Sequence, residues 1–328
     1  MKITTVFQFL ILSIVLAGVA FAQSPDFDEM KALAESGDAD AQFVLGYWYS
    51  RGEGVPENDA EALKWYRLAA DAGSAGAQVT LGGMYSSGLG VPENDAEAVK
   101  WYRLAADQGD ANAQFDLGWM YTLGEGVPEN DAEAVKWYRL AADQGNANAQ
   151  YNLGLNYSNG EGVPENDAEA LKWYRLAADQ GNAAGQVNLG VMYSNGEGVP
   201  ENEAEAVKWY RLAAEHGNTI ALYNLGVHYS NGKGVPENDA EAVKWYRLAA
   251  DRGDIDAQDS LGQMYFNGEG VPQNNIKAYV WWSVSAAQGN EEAKKNREIV
   301  AAKLTPQDLS QAQAIATKCF ESNYRDCQ

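Results

Sequence analysis

Asn146 to Gly181 reads NANAQYNLGLNYSNGEGVPENDAEALKWYRLAADQG. Punctuation alone places two helices in it. The first starts after Asn146, runs through Ala149, Leu153, Gly154 and Tyr157, and stops at Gly160 and Gly162, where glycine tolerates the left-handed conformation of a helix end. Val163-Pro164 lies in the connection. Asn166 is the expected N-cap of the second helix, Glu169 three residues on completes a capping-box-like pattern, and Gly181 ends it.

The stretch is one of seven. Val-Pro recurs at 55–56, 91–92, 127–128, 163–164, 199–200, 235–236 and 271–272, always 36 residues apart, so seven units fill residues 38–289. Neither helix of a unit can bury its apolar face alone, so successive pairs must stack into an all-α solenoid with a continuous core. The ends need caps, expected over residues 23–37 and 290–328. Asp28–Ser36 resembles a degenerate second helix, and Asn290–Ala302 begins like a first helix but carries Arg297 where Leu261 stands. Thr305-Pro306-Gln307-Asp308 is a helix-start signal, and Leu309, Ala312, Ala316 and Phe320 form an apolar stripe suited to covering the open end.

The chain has 328 residues with 46 acidic and 24 basic side chains, a net charge of -22. Such a charge repels phosphate backbones and anionic lipid headgroups, so nucleic acid is not an expected partner. Lys2, the apolar run Val6–Val19 and the triplet Ala20-Phe21-Ala22 have the layout of a secretory signal peptide over residues 1–22, cleaved after Ala22. The alternative is an uncleaved anchor, since Ile3–Ala22 approaches the roughly 20 residues a spanning helix needs. Residue 23 is Gln, not Cys, and offers no thiol for a lipid. The expectation is a periplasmic or secreted monomer with no membrane insertion after cleavage. In an oxidising compartment Cys319 and Cys327 could close a short disulfide loop; two free thiols are the alternative.

The spacing Ala-x3-Leu-Gly-x2-Tyr-x2-Gly-x-Gly-Val-Pro, followed by Ala-x-Ala-x2-Trp-Tyr-x2-Ala-Ala-x2-Gly, resembles the Sel-1-like repeat, a relative of the tetratricopeptide repeat. The resemblance implies a right-handed superhelical solenoid whose first helices line a concave surface that holds partner proteins. It does not imply which partner.

Comparison of the seven units sorts their columns on a helical wheel. In the first helix the repeated Ala, Leu, Gly and Tyr columns form one packing side. The columns of Asn148, Tyr151, Asn152, Leu155, Asn156 and Asn159 vary between units and fall within roughly 140° of arc. This variable side is the candidate concave binding face. Its named residues are Tyr47, Trp48, Met84, Trp119, Met120, Asn152, Asn156, Asn188, Met192, Asn224 and His228. Exposed aromatic and Met side chains dominate binding energy, and an Asn amide can donate to and accept from an extended peptide at once. The alternative is that these columns tolerate drift, with Trp48 and Trp119 partly buried. In the second helix Tyr174, Ala170, Ala177 and Ala178 form the apolar face, Trp173 and Leu176 flank it, and Lys172, Arg175 and Asp179 share the wet side with Arg175 and Asp179 spaced to pair.

Other chemistries find less support. The seven repeated tryptophans read as core, with a carbohydrate-stacking row as the alternative. Acidic residues such as Glu161, Glu165, Asp167 and Glu169 should form a ridge, but EF-hand spacing is absent and acids suit a helix N-terminus anyway, so no metal or cofactor is expected. His216 and His228 are the two imidazoles and lie in different columns. Ser230-Asn231-Gly232-Lys233 matches the Ser-x-x-Lys pattern of β-lactam-recognising enzymes, yet it sits in a helix-ending loop and lacks the companion motifs. The expected function is a non-enzymatic exported scaffold that binds a protein or peptide.

Overall fold

A computed structural model describes residues 27–327, so the signal-peptide reading of residues 1–22 lies outside the described residues. Among the described residues there are seventeen α-helices and no strand. The chain divides into two units, one holding residues up to Ala113 with Glu125–Pro128, the other holding Gln114–Gly124 and Glu129 onward. The first unit carries α1 (Phe27–Glu35), α2 (Ala39–Arg51), α3 (Asp59–Asp71), α4 (Ala75–Ser87), α5 (Asp95–Asp107) and the start of α6 (Ala111–Leu123). The second carries the rest of α6, then α7 (Asp131–Asp143), α8 (Ala147–Asn159), α9 (Asp167–Asp179), α10 (Ala183–Asn195) and α11 (Glu203–Glu215). It continues through α12 (Thr219–Asn231), α13 (Asp239–Ala250), α14 (Ile255–Asn267), α15 (Asn275–Ala287), α16 (Glu291–Ala301) and α17 (Pro306–Glu321). Within the first unit each helix from α1 to α5 packs on the next, and within the second the same holds from α7 to α16. This is a solenoid of helix-turn-helix pairs.

The helix ends follow the punctuation. The Asn146 side chain accepts from the Ala149 N–H, and Gly160 closes α8 in the left-handed region at φ 72°. Asn166 caps α9 by accepting from the Glu169 N–H at 3.1 Å. The reciprocal half of the expected capping box does not form. The Asn166 N–H donates instead to the Tyr157 carbonyl at 2.8 Å, leaving the Glu169 carboxylate to face Lys172 at 3.5 Å. The connecting loop doubles back: Gly162, at φ 71°, passes so close to the previous second helix that a Cβ would lie 2.4 Å from the Asp131 carbonyl oxygen. No other residue fits there.

Leu153 is fully buried, and the Tyr174 ring of the partner helix lies against Gly154, where a Cβ would be 2.6 Å from a ring carbon. Polar ladders tie one repeat to the next. Buried Gln150 donates to the Ala142 carbonyl of the preceding second helix at 3.1 Å and accepts from Gln180 at 2.7 Å. Arg175 does not pair with Asp179 as its spacing suggested. It donates to the Tyr193 hydroxyl and lies over the Tyr193 and Trp209 rings of the following repeat, at 5.5 and 5.3 Å from their centroids. A guanidinium over two rings gains cation–π attraction that an exposed i,i+4 pair cannot match.

At the C-terminus α16 packs on α14 and α15, and α17 lies along α15, with Leu309 and Ala316 against the core of the last repeats. Ala312 of its apolar stripe is buried, whereas Phe320 is 49% exposed. Cys319 and Cys327 are disulfide-bonded. Left-handed Asn323 and Tyr324 turn the chain back, and the Tyr324 ring rests against Gly253.

Candidate protein-interaction face

The loop that doubles back decides which variable columns reach the surface. In the first unit Met84 is buried, its methyl 3.3 Å from where a Cβ of loop residue Gly90 would be. Tyr47 and Trp48 are half-buried, Tyr47 beneath Arg51 and Trp48 against Phe27 at 6.2 Å between ring centroids.

In the second unit Met120, Asn156, Met192 and His228 are likewise buried. Asn156 spends its amide on the Glu161 carbonyl of its own loop at 3.2 Å. This whole column was expected on the open face. From Met84 onward it is buried, with Met84 and Asn156 meeting the Gly-x-Gly-Val-Pro loop, a tertiary event that a helical wheel does not contain.

The asparagine column also has internal work. Asn152 hydrogen-bonds the Tyr138 hydroxyl, and Asn188 bonds the hydroxyls of both Tyr151 and Tyr174. Burial pushes the Tyr138 and Tyr174 phenols up to about 12, with Thr122, Ser158 and these asparagines pulling the other way. Asn152 and Asn188 are therefore stitches between consecutive repeats as well as half-exposed groups. Asn224 is half-buried too.

What stays open on the first helices of the second unit is a mostly apolar column. Trp119 is 44% exposed, and Leu155, Val191 and Val227 follow it half-buried in the same register. Ile220 on α12 is 57% exposed beside them in sequence register. Leu155, Val191, Val227 and Ile220 were not among the named candidates, although the variable columns of Leu155 and Asn148 contained them.

The second helices present no row of exposed tryptophans. Trp173, Trp209 and Trp281 are buried, and Trp137 and Trp245 half-buried, under the arginines of the preceding repeats where those contacts are described. The carbohydrate-stacking alternative loses its platform for that reason. Neither histidine sits beside a nucleophile and an orienting acid in an open cleft: His216 is exposed at the end of α11, and His228 is buried against Glu203. Among the described residues no group of three or more His, Cys, Asp or Glu is placed to hold a metal ion, and no helix is long and apolar enough to cross a membrane.

Seven successive matches to the Sel1 repeat model cover residues 39–74, 75–110, 111–146, 147–182, 183–218, 219–254 and 255–290. The crystal structure of a Sel1 repeat protein from Oxalobacter formigenes is 37% identical, with a TM-score of 0.68 over 82% of this chain and 78% of that one. The structure of c5321, described as a protective antigen of uropathogenic Escherichia coli strains with an SLR fold, is 27% identical, with a TM-score of 0.54 over 92% of this chain and 96% of that one. No curated protein matches the chain. The unbroken register of the seven units, their stacked helix pairs and these likenesses agree, and the chain belongs to the Sel1 repeat family.

Proposed function

We propose that this protein is an exported, non-catalytic scaffold that holds a protein or peptide partner on the first-helix face of its second unit. The observation that carries the reading is Trp119, a large aromatic left 44% exposed at the head of the column continued by Leu155, Val191 and Val227. An aromatic anchor followed by aliphatic side chains and bordered by an amide such as Asn224 is the composition of an interface centre. Stacked Sel1 repeats commonly serve protein interaction, which supports the same reading. Export draws its support from the residue 1–22 signal layout and from the Cys319–Cys327 bond, which suits an oxidising compartment.

The test is affinity capture from envelope and extracellular extracts with residues 23–328 as bait, beside a Trp119→Ala/Asn224→Ala control of unchanged circular dichroism. A partner retained by the first and lost, or weakened at least tenfold, with the second is the expected result. Equal retention by both baits would move the binding site off this face. Asn152 and Asn188 are left intact in the control because their loss would disturb the tyrosines they bind.

A further inference from the structure

Three residues of one junction depart from the repeat together. Where Glu203 stands, other second helices start with Asp59, Asp95, Asp131, Asp167 or Asp239. Where His228 stands, neighbouring first helices carry Met192 and Met264, and where Lys233 stands, the neighbouring loops carry Glu197 and Glu269. The fold brings all three into contact. His228 Nε2 lies 3.0 Å from Oε2 of Glu203, and Lys233 Nζ lies 3.2 Å from the other carboxylate oxygen. Ser194 donates to Oε2 of Glu203 at 2.8 Å. Glu203 opens the second helix of the fifth repeat, while His228 and Lys233 belong to the sixth, so the contact bridges two repeats. It is held shut by the loop, since a Cβ at Gly234 would lie 2.3 Å from the Glu203 carbonyl oxygen.

The chemistry of the ring is constrained. His228 Nδ1 lies 2.8 Å from the Asn224 carbonyl oxygen while Nε2 faces the carboxylate. Both oxygens can only accept, so both bonds coexist only when the imidazole carries two protons. A neutral ring has one N–H and must turn a lone pair on one of these oxygens. The groups around it are few. Besides Glu203, α11 presents the edge of the Tyr210 ring at 5.2 Å between centroids, α10 presents Ser194, and the loop after α12 presents Lys233. α13 brings Tyr246 against Gly226, and the acids Asp254, Asp256 and Asp259 of the α14 segment act on Tyr223, five residues from His228.

We propose that Glu203, His228 and Lys233 form a pH-responsive clasp between the fifth and sixth repeats, closed while His228 is doubly protonated and loosened when the ring loses a proton. The sign follows from the two partners. The doubly protonated ring is the form that satisfies both oxygens, so its contribution is lost when the ring gives up a proton as pH rises. Burial pushes the Glu203 carboxyl up, but the bonds from Ser194, His228 and Lys233 outweigh it and hold the group below its usual range. Its contribution is therefore present above the ordinary carboxylate range and lost as pH falls below it. The clasp is complete only while Glu203 is ionised and His228 carries both protons. It stands independently of the partner-binding reading, although α12 also carries Asn224 and Val227 to the candidate face.

Hydrogen exchange of the protein alone, corrected for the intrinsic pH dependence of exchange, tests the clasp between pH 5.5 and 8. Segments 198–206 and 226–236 are followed, with 162–170 of the preceding repeat as the internal control. The wild type should open several-fold more at pH 8 in the first two segments than at pH 5.5, within the limit of about tenfold per pH unit for one proton. The control segment should not change. Glu203→Asp/His228→Met/Lys233→Glu, which copies the neighbouring repeats, should remove the pH dependence. A flat wild-type profile, or the same slope in the variant, would overturn the proposal. If the variant fails to fold, the contrast between junction and control segments in the wild type decides.

Discussion

A methyl group at Gly154 would enter the Tyr174 ring, and that contact shows how much of the packing rests on single atoms. Alanine would ordinarily gain about 1 kcal/mol of helix propensity over glycine. Here the overlap forces the buried ring aside, and overpacking of this kind costs about 1–3 kcal/mol. Gly154→Ala should therefore lower the urea midpoint at unchanged slope; an unchanged or raised midpoint would mean that the ring yields freely. The glycine column was legible because it repeats in every unit beside Leu. The role of Gln150 was not read, although a polar residue repeated at Gln78, Gln114, Gln150, Gln186 and Gln258 on the packing side was a signal. Arg175 was misassigned for a related reason: its true partners, Tyr193 and Trp209, lie 18 and 34 positions away, beyond any intrahelical rule.

At the scale of the element, each second helix starts where an Asn cap and a doubled-back loop meet. The N–H that a capping-box Glu would have taken is already given to a tyrosine carbonyl of the first helix. This exchange couples the two helices of a repeat through the backbone, so the loop is part of the packing. α17 illustrates the opposite case, an element whose helical start was clear but whose docking site was not. Its Thr305 cap and Pro306 are local signals, whereas its seat on α15 depends on Val280 and Val284 replacing the exposed Lys244 and Leu248 of the repeat before. The disulfide fixes the end of this helix. In the chain-entropy account a loop of this size contributes about 2–3 kcal/mol. Cys319→Ser/Cys327→Ser should release the tail, exposing Tyr324 to proteolysis near α17 and lowering Tm while leaving the helical signal of the repeats in place. Loss of the whole helical signal would mean that the tail organises the fold.

Across the whole molecule the buried tyrosines of successive repeats behave as a set. Burial raises the phenols of Tyr66, Tyr138 and Tyr174 from 10.0 to about 12, and it also raises Tyr210 and Tyr246. The unfolded chain ionises them near 10, so the stability they contribute is complete below that pH and is lost as pH climbs toward 12. Absorbance at 295 nm should therefore show the buried phenols ionising together with loss of helical circular dichroism above pH 10; ionisation of every tyrosine near pH 10 with the helices intact would refute this. By itself the sequence determined the repeat length, the number of units, the helix boundaries and the Ala, Leu, Gly and Tyr packing side. Those features rest on local capping, glycine conformation and helical periodicity, all of which act within a few residues of chain. Which variable columns stay open was decided by tertiary structure alone. The loop folds back over the column that holds Met120, Asn156, Met192 and His228, and inter-repeat bonds engage Asn152 and Asn188, leaving Trp119 exposed and Leu155, Val191 and Val227 half-buried beside it. Burial at those positions depends on chain segments brought in from the loop and the adjacent repeat, and no pattern within one helix records them.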